Sequence, residues 1–173
     1  SFKDELTATS LGNLRSNSAM VQQTLQQNTA GTERSVSQQP VNWLQKAGWY
    51  IDLSIAGSSA SGERVTIDPD QQLGILNIVS NIPDSHACIA SGGSWIYALD
   101  YRTGSYLPLA ANQVVGKKIA FDTLVAGARI IKWKDRSLSL LTDEAGHLAS
   151  VQGPQAPASA PNVRRVSWRE LDD

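Results

Sequence analysis

The fold is decided by Gly92-Gly93-Ser94-Trp95-Ile96-Tyr97-Ala98-Leu99-Asp100-Tyr101-Arg102-Thr103-Gly104. Its first part alternates as a β-strand does. Trp95, Tyr97 and Leu99 fall on one face, Ile96 and Ala98 on the other. Both faces are apolar, so the strand is expected to lie between two packed layers, with small Ala98 letting a neighbouring sheet come close. The second part reverses the chain. The Asp100 carboxylate is placed to accept from backbone N–H groups two or three residues on. Gly104 supplies a positive φ at little steric cost, and Thr103 adds a hydroxyl. The turn is expected to aim a following strand, Ser105 to Leu109, back alongside.

Similar short runs stand on either side. Gly48 to Leu53 combines aromatic and β-branched residues, and Glu63 to Ile67 alternates before stopping at Asp68-Pro69-Asp70. Leu73 to Val79 is a nearly continuous apolar run. Arg129 to Trp133 and Ser137 to Leu141 flank Lys134-Asp135-Arg136, which suits a hairpin, and Glu144 to His147 reads as a turn into Leu148 to Val151. Short strands with polar turns predict an antiparallel all-β protein. Residues 1–40 are rich in Ser, Thr, Gln and Asn and are expected to pack weakly. Within them, Met20 to Leu25 fits a helical turn or a strand equally. Residues 41–151 form the β-rich region, the Pro/Ala/Ser-rich residues 152–162 a loop, and residues 163–173 a C-terminal strand.

Composition removes several function classes. The 173 residues carry 15 basic and 16 acidic side chains, a balance that argues against a nucleic-acid partner. No apolar run approaches the roughly 20 residues of a membrane span. The sequence starts at Ser1 without an initiating Met, which suggests a piece of a longer product.

Tyr97-Ala98-Leu99-Asp100 followed by Thr103-Gly104 resembles the blade signature of quinoprotein-like β-propellers. The nearest second copy, Leu140 to Gly146, keeps the Asp and Gly but neither the Tyr nor the Thr. A larger set is more specific. It comprises Gly48-Trp49-Tyr50-Ile51-Asp52-Leu53 with Gly62-Glu63-Arg64-Val65, then Gly92 to Gly104, then Ser167-Trp168-Arg169-Glu170-Leu171. In that order the set resembles the C-terminal part of the PilY-type (PilC/PilY) type IV pilus tip-associated adhesins, over about residues 41–173. The resemblance implies the last blades of a modified β-propeller, partial or isolated. It also implies a role in pilus assembly, adhesion and twitching motility. Minor pilins, and a host or surface receptor, are the implied partners. The implied location is the cell surface at the pilus tip, reached through the periplasm. Calcium occurs in the family, but residues 105–121 (SYLPLAANQVVGKKIAF) contain no carboxylate, so no calcium loop carries over. The match of Cys88 to a family cysteine implies half of a disulfide with a partner outside this chain.

Candidate chemistry is sparse. His86 and Cys88 would share a strand face, yet two histidines and one cysteine without ligand spacing make a poor metal site. Asp143, Glu144 and His147 sit within one turn and read as a solvated hairpin, with nothing to suggest a burial that shifts a pKa. Asp68 and Asp70 read as a turn cap, since calcium takes six to eight oxygens. Trp95 and Trp168 are expected to be wedges between sheets; Trp43, Trp49 and Trp133 serve equally as wedges or exposed platforms. The Val163-to-Leu171 stretch alternates as a strand that either joins a sheet of this chain or pairs with a pilin. The expected protein is not an enzyme and holds no cofactor. Its rivals are a fragment of a quinoprotein-like dehydrogenase and a propeller scaffold for envelope assembly.

Overall fold

Alternation of apolar residues becomes strand throughout the computed structural model, which describes residues 13–55, 61–84, 91–108, 110–121, 123–133 and 136–155. Eleven strands run through these residues: β1 (Met20–Gln27), β2 (Glu33–Val36), β3 (Gly48–Ile55), β4 (Arg64–Val65), β5 (Asp70–Gln72), β6 (Ile75–Pro83), β7 (Gly92–Asp100), β8 (Val114–Ile119), β9 (Val125–Trp133), β10 (Arg136–Asp143) and β11 (Leu148–Gln155). Two single-turn 3-10 helices, Leu14–Ser16 and Ala111–Gln113, complete the set. There is no α-helix among the described residues.

The expected all-β class holds. One sheet has the order β3-β1-β2-β8-β7-β6-β4, with β5 also paired to β6, and it curls into a nearly closed, barrel-like wall. A second, three-stranded sheet has the order β11-β10-β9. The expectation of purely antiparallel pairing needs one correction. β1 and β3 run parallel, with Met20 beside Gly48 and Gln23 beside Ile51. The connection between them is long enough to contain β2, and a parallel pair needs such a crossover. The large sheet runs continuously through seven strands and is not divided into four-stranded units.

The quoted stretch lies between two cores, as its alternation predicts. Trp95, Tyr97 and Leu99 join Leu25, Val36, Trp49 and Val115 in one buried cluster. Ile96 points the other way and joins Val79, Ile119, Val125 and Leu141 under the small sheet. β7 therefore buries apolar area on both faces, about 150 to 250 Å² for each large aromatic.

Three expectations are corrected here. Residues 13–40 are not loosely packed, since β1 and β2 stand within the wall and bury Leu25 and Val36. Ser105 to Pro108 is not a strand, and Leu109 lies outside the described residues. Ser105 accepts one bond, from Asp100 N, and Pro108 then lacks a donor. Consecutive positive φ values at Asn112 and Gln113 turn the chain before β8 pairs with β7. Finally, β11 continues through Gln155, into the stretch read as loop. Trp133 pairs with Arg136, as the hairpin reading requires, while Lys134 and Asp135 lie outside the described residues. So do residues 163–173.

Candidate functional site

The inner face of β7 carries an ion pair sealed from water. Register places Arg34 of β2 beside Gly116 of β8, Gly116 beside Tyr97 of β7, and Tyr97 beside Ile78 of β6. Gly116 is needed for space: a Cβ there would fall 2.8 Å from the Tyr97 ring and 3.1 Å from Arg34 Cβ. Arg34 thus leans over β8 and lays its guanidinium 3.8 Å above the Trp95 ring centroid, a cation–π contact. Glu63 reaches in from the β4 end of the sheet, just before β4 itself. Arg34 Nη1 donates to Glu63 Oε1 at 2.8 Å and Oε2 at 2.6 Å, with the side chains 3% and 1% exposed. Ser80 Oγ and Tyr97 Oη each donate to Glu63 Oε1 at 2.6 Å, Arg34 Nη1 donates to Tyr97 Oη, and Arg34 Nε donates to Gln27 Oε1. Burial, then the neighbouring Glu63 charge, pushes the Tyr97 phenol above its ordinary range, so it stays a neutral donor.

Strands β2 and β4 are separated by three others, a path of about 19 Å if the sheet were flat at about 4.8 Å per strand. Arginine and glutamate side chains cannot span that. The pair forms because the wall curls, and it ties the β4 end of the sheet to β2, the third strand from the other end.

The Asp100–Gly104 turn behaves as its residues predict. Arg102 N donates to Asp100 Oδ1 at 2.8 Å, Gly104 N donates to Asp100 O at 2.8 Å, and Gly104 has φ +68°. Thr103 Oγ1 and Ser105 Oγ lie 2.7 Å apart. Two residues from distant strands then hold the turn. Trp49 Nε1 donates to Tyr101 O at 3.1 Å, and Gln23 Nε2 donates to Thr103 O at 2.8 Å. Gln23 is fully buried and has no polar atom left over. It also donates to Gln39 O and accepts from Ser37 Oγ and Gln39 N.

The second, degenerate copy of the turn is built the same way. Asp143 is buried, which corrects the expectation of a solvated hairpin. Burial acts to raise its carboxyl. Hydrogen bonds from Thr123 Oγ1 at 2.6 Å, from the His147 ring at 2.8 Å and from His147 N at 2.7 Å outweigh that and hold it down at about 2. The sign follows from linkage: a depressed folded pKa contributes stability above the ordinary value of 3.8, and the contribution is lost as pH falls through about 2. Between about pH 4 and pH 2 the urea midpoint of the wild type should therefore fall more steeply than that of Asp143→Asn. Parallel slopes would show that the carboxylate is not held in this way.

Other residues singled out in the sequence do not converge. Asp70 accepts from Gln72 Nε2 at 3.0 Å, while Asp68 is exposed in the connection between β4 and β5. Glu144 points outward beside His147. No group of three His, Cys, Asp or Glu able to hold a metal occurs among the described residues, and His86 and Cys88 lie outside them. Trp49 and Trp95 are wedges in the core and Trp43 packs against it, half-buried; the Trp133 side chain and Trp168 lie outside the described residues. Sequence reasoning missed Gln23, Arg34 and the charge role of Glu63. The available signal was parity: Val21, Gln23 and Leu25 share one strand face, and so do Arg34 and Val36.

Comparisons with known proteins agree on one kind of relative. Over 88 residues the chain is 36% identical to the type IV pilus biogenesis factor PilY1 homolog of Xylella fastidiosa, covering 50% of this chain and 6% of that protein. Over 161 residues it is 27% identical to the type IV pilus biogenesis factor PilY1 of Pseudomonas aeruginosa, in strains PAO1 and PAK, covering 83% of this chain and 14% of theirs. The chain thus spans 14% or less of the length of these curated relatives. No family model matches it, and no solved structure does.

Proposed function

We propose that this chain is part of a PilY-type pilus biogenesis factor that works by protein contact and not by catalysis. The observation that carries the reading is 27% identity spread over 83% of the chain to factors named for pilus biogenesis. The ordered motifs that lie within the described residues support it, because each falls on a structural joint. Gly48 to Leu53 is β3, Glu63 closes the ion pair, and Gly92 to Gly104 is the strand between the cores with its turn. In this reading the β9–β10–β11 meander corresponds to one blade of a modified propeller, and the curled wall is a departure from the blade plan. Minor pilins are the partners at the tip, with a host or surface receptor beyond them. Adhesion and twitching motility follow from that position outside the cell, reached through the periplasm.

The non-catalytic part of the proposal rests on how charge is used. The buried Arg34, Glu63 and Asp143 are each bonded to another protein group, an arrangement suited to strands that resist tension together. No cofactor is assigned. The test is binding of the purified chain to each minor pilin by interferometry, with a quinone and calcium added separately in a thermal-shift assay. Saturable binding to one minor pilin and unchanged melting with quinone and calcium are expected. Failure to bind any pilin, or a quinone-dependent shift of several degrees, would overturn the reading.

A further inference from the structure

The carboxylate of Glu63 is held as a ligand is held. It accepts from Arg34 Nη1 at 2.8 and 2.6 Å, and from Ser80 Oγ and Tyr97 Oη at 2.6 Å each. Those donors stand on β2, β6 and β7, and none of them belongs to the segment that carries Glu63. They are built into the wall. Arg34, Ser80 and Tyr97 are buried, the Trp95 ring lies under the guanidinium, and Gly116 leaves the room that Arg34 needs. One fixed cation, two hydroxyls and an aromatic floor make a receptor for a carboxylate. The segment around Glu63 is held far less firmly. β4 stands at the end of the sheet order and pairs with β6 through Arg64 and Val65. Both of these residues, and Thr66 after them, are exposed. Gly62 has φ +70°, and Arg64 Nε donates to Gly62 O at 3.3 Å, a bond internal to the segment. Asn81 Nδ2 adds a tie to Thr66 Oγ1 at 2.9 Å, and Ile67 packs against the second core. Loss of an end strand leaves the other ladders of the wall intact, so residues 61–66 form a strap.

We propose that Arg34, Ser80 and Tyr97 form a carboxylate-binding site that Glu63 fills in cis, and that the acidic side chain of an extended partner segment takes the place of Glu63 when the strap swings out. The edge of β6 at Ser80 and Asn81, freed of β4, pairs with that segment as it pairs with Arg64 and Val65 in the closed chain. The carboxylate enters beside it and meets the same four bonds. The strap is then an autoinhibitory contact, and Glu63 is the stand-in for the ligand. This inference holds whether or not the chain acts in a pilus.

Carboxylate rescue of Glu63→Ala in the full chain tests it. Replacing chloride by acetate at equal ionic strength is expected to raise the Tm of this variant by about 2 to 4 °C, or to restore its far-ultraviolet dichroism where the variant is unfolded in chloride. Glu63→Gln, which keeps a side chain in the site, should gain nothing, and neither should Glu63→Ala combined with Arg34→Met. A peptide copy of residues 61–67, Ser-Gly-Glu-Arg-Val-Thr-Ile, should bind Glu63→Ala about tenfold more tightly than its Gln counterpart, which assigns the ligand to an acidic strand. In the wild type, the β6 amides that face β4 should exchange with deuterium faster than those that face β7, the mark of a strap that opens without global unfolding. The proposal is overturned by the absence of an acetate effect in Glu63→Ala, or by an equal effect in Glu63→Gln. Equal binding of the two peptides, binding of neither, or a single exchange rate along β6 would overturn it as well.

Discussion

Glu63→Ala is expected to destabilise the chain by about 3 to 5 kcal/mol, the cost of leaving one member of a buried pair without its partner. For a chain of this size that corresponds to a Tm lowered by roughly 6 to 20 °C. The magnitude follows from what is left behind. Arg34 is 3% exposed and stacked on Trp95, and the Tyr97 and Ser80 hydroxyls lose their shared acceptor. The other groups bonded to Arg34, the Gln27 amide and the Tyr97 hydroxyl, are uncharged. Arg34→Ala should cost a similar amount for the mirrored reason. The double replacement Arg34→Met with Glu63→Leu should fall well short of the sum, because an apolar pair of similar volume removes the desolvation penalty along with the attraction. Urea unfolding of the three variants measures this. A loss below 1 kcal/mol in both single variants would mean that the curl between β2 and β4 does not depend on the ion pair.

What the sequence disclosed and what it hid separate along one physical line, local against non-local. The two-sided burial of β7 was legible because alternation is a property of neighbouring residues. The Asp100 turn was legible because its bonds close within five residues. Its degenerate copy shows the same plan. Asp143 Oδ1 accepts from His147 N as Asp100 Oδ1 accepts from Arg102 N, and Asp143 N donates to His147 O as Asp100 N donates to Ser105 O. The difference is that the Asp100 carboxylate bonds inside its turn, whereas the Asp143 carboxylate bonds the residue that closes it. The burial of Asp143 was hidden because Thr123, which covers it, comes from another segment. The parallel β1–β3 pair was hidden for the same reason, and Gln-rich β1 looked too polar for a wall. Gln23 shows how that polarity is accommodated: its amide makes four bonds and needs no water. The meeting of Arg34 with Glu63 depends on curvature, which no local pattern specifies. The outward side chains gave no functional site at all, and the part of the reading that names a pilus came from ordered motifs.

Gly104→Ala is expected to have an effect of the same order, for a reason that couples the turn to a distant strand. At φ +68° an alanine carries an αL cost of about 1 to 2 kcal/mol. Its Cβ would also fall within 2.5 Å of Trp49 Cδ2 and 2.7 Å of Cζ3, and such overpacking costs about 1 to 3 kcal/mol more. Trp49→Ala alone should cost about 3 to 5 kcal/mol through the cavity it leaves. The two losses should not add. Once the indole is gone the alanine has room, so the double variant should recover the overpacking share and retain only the backbone share, a coupling of about 1 to 3 kcal/mol. Urea unfolding of the four-member cycle measures it. The cycle separates two meanings of the same glycine, a bend that needs positive φ and a floor on which Trp49 of β3 rests. Additive losses would leave the bend as the one role of this glycine.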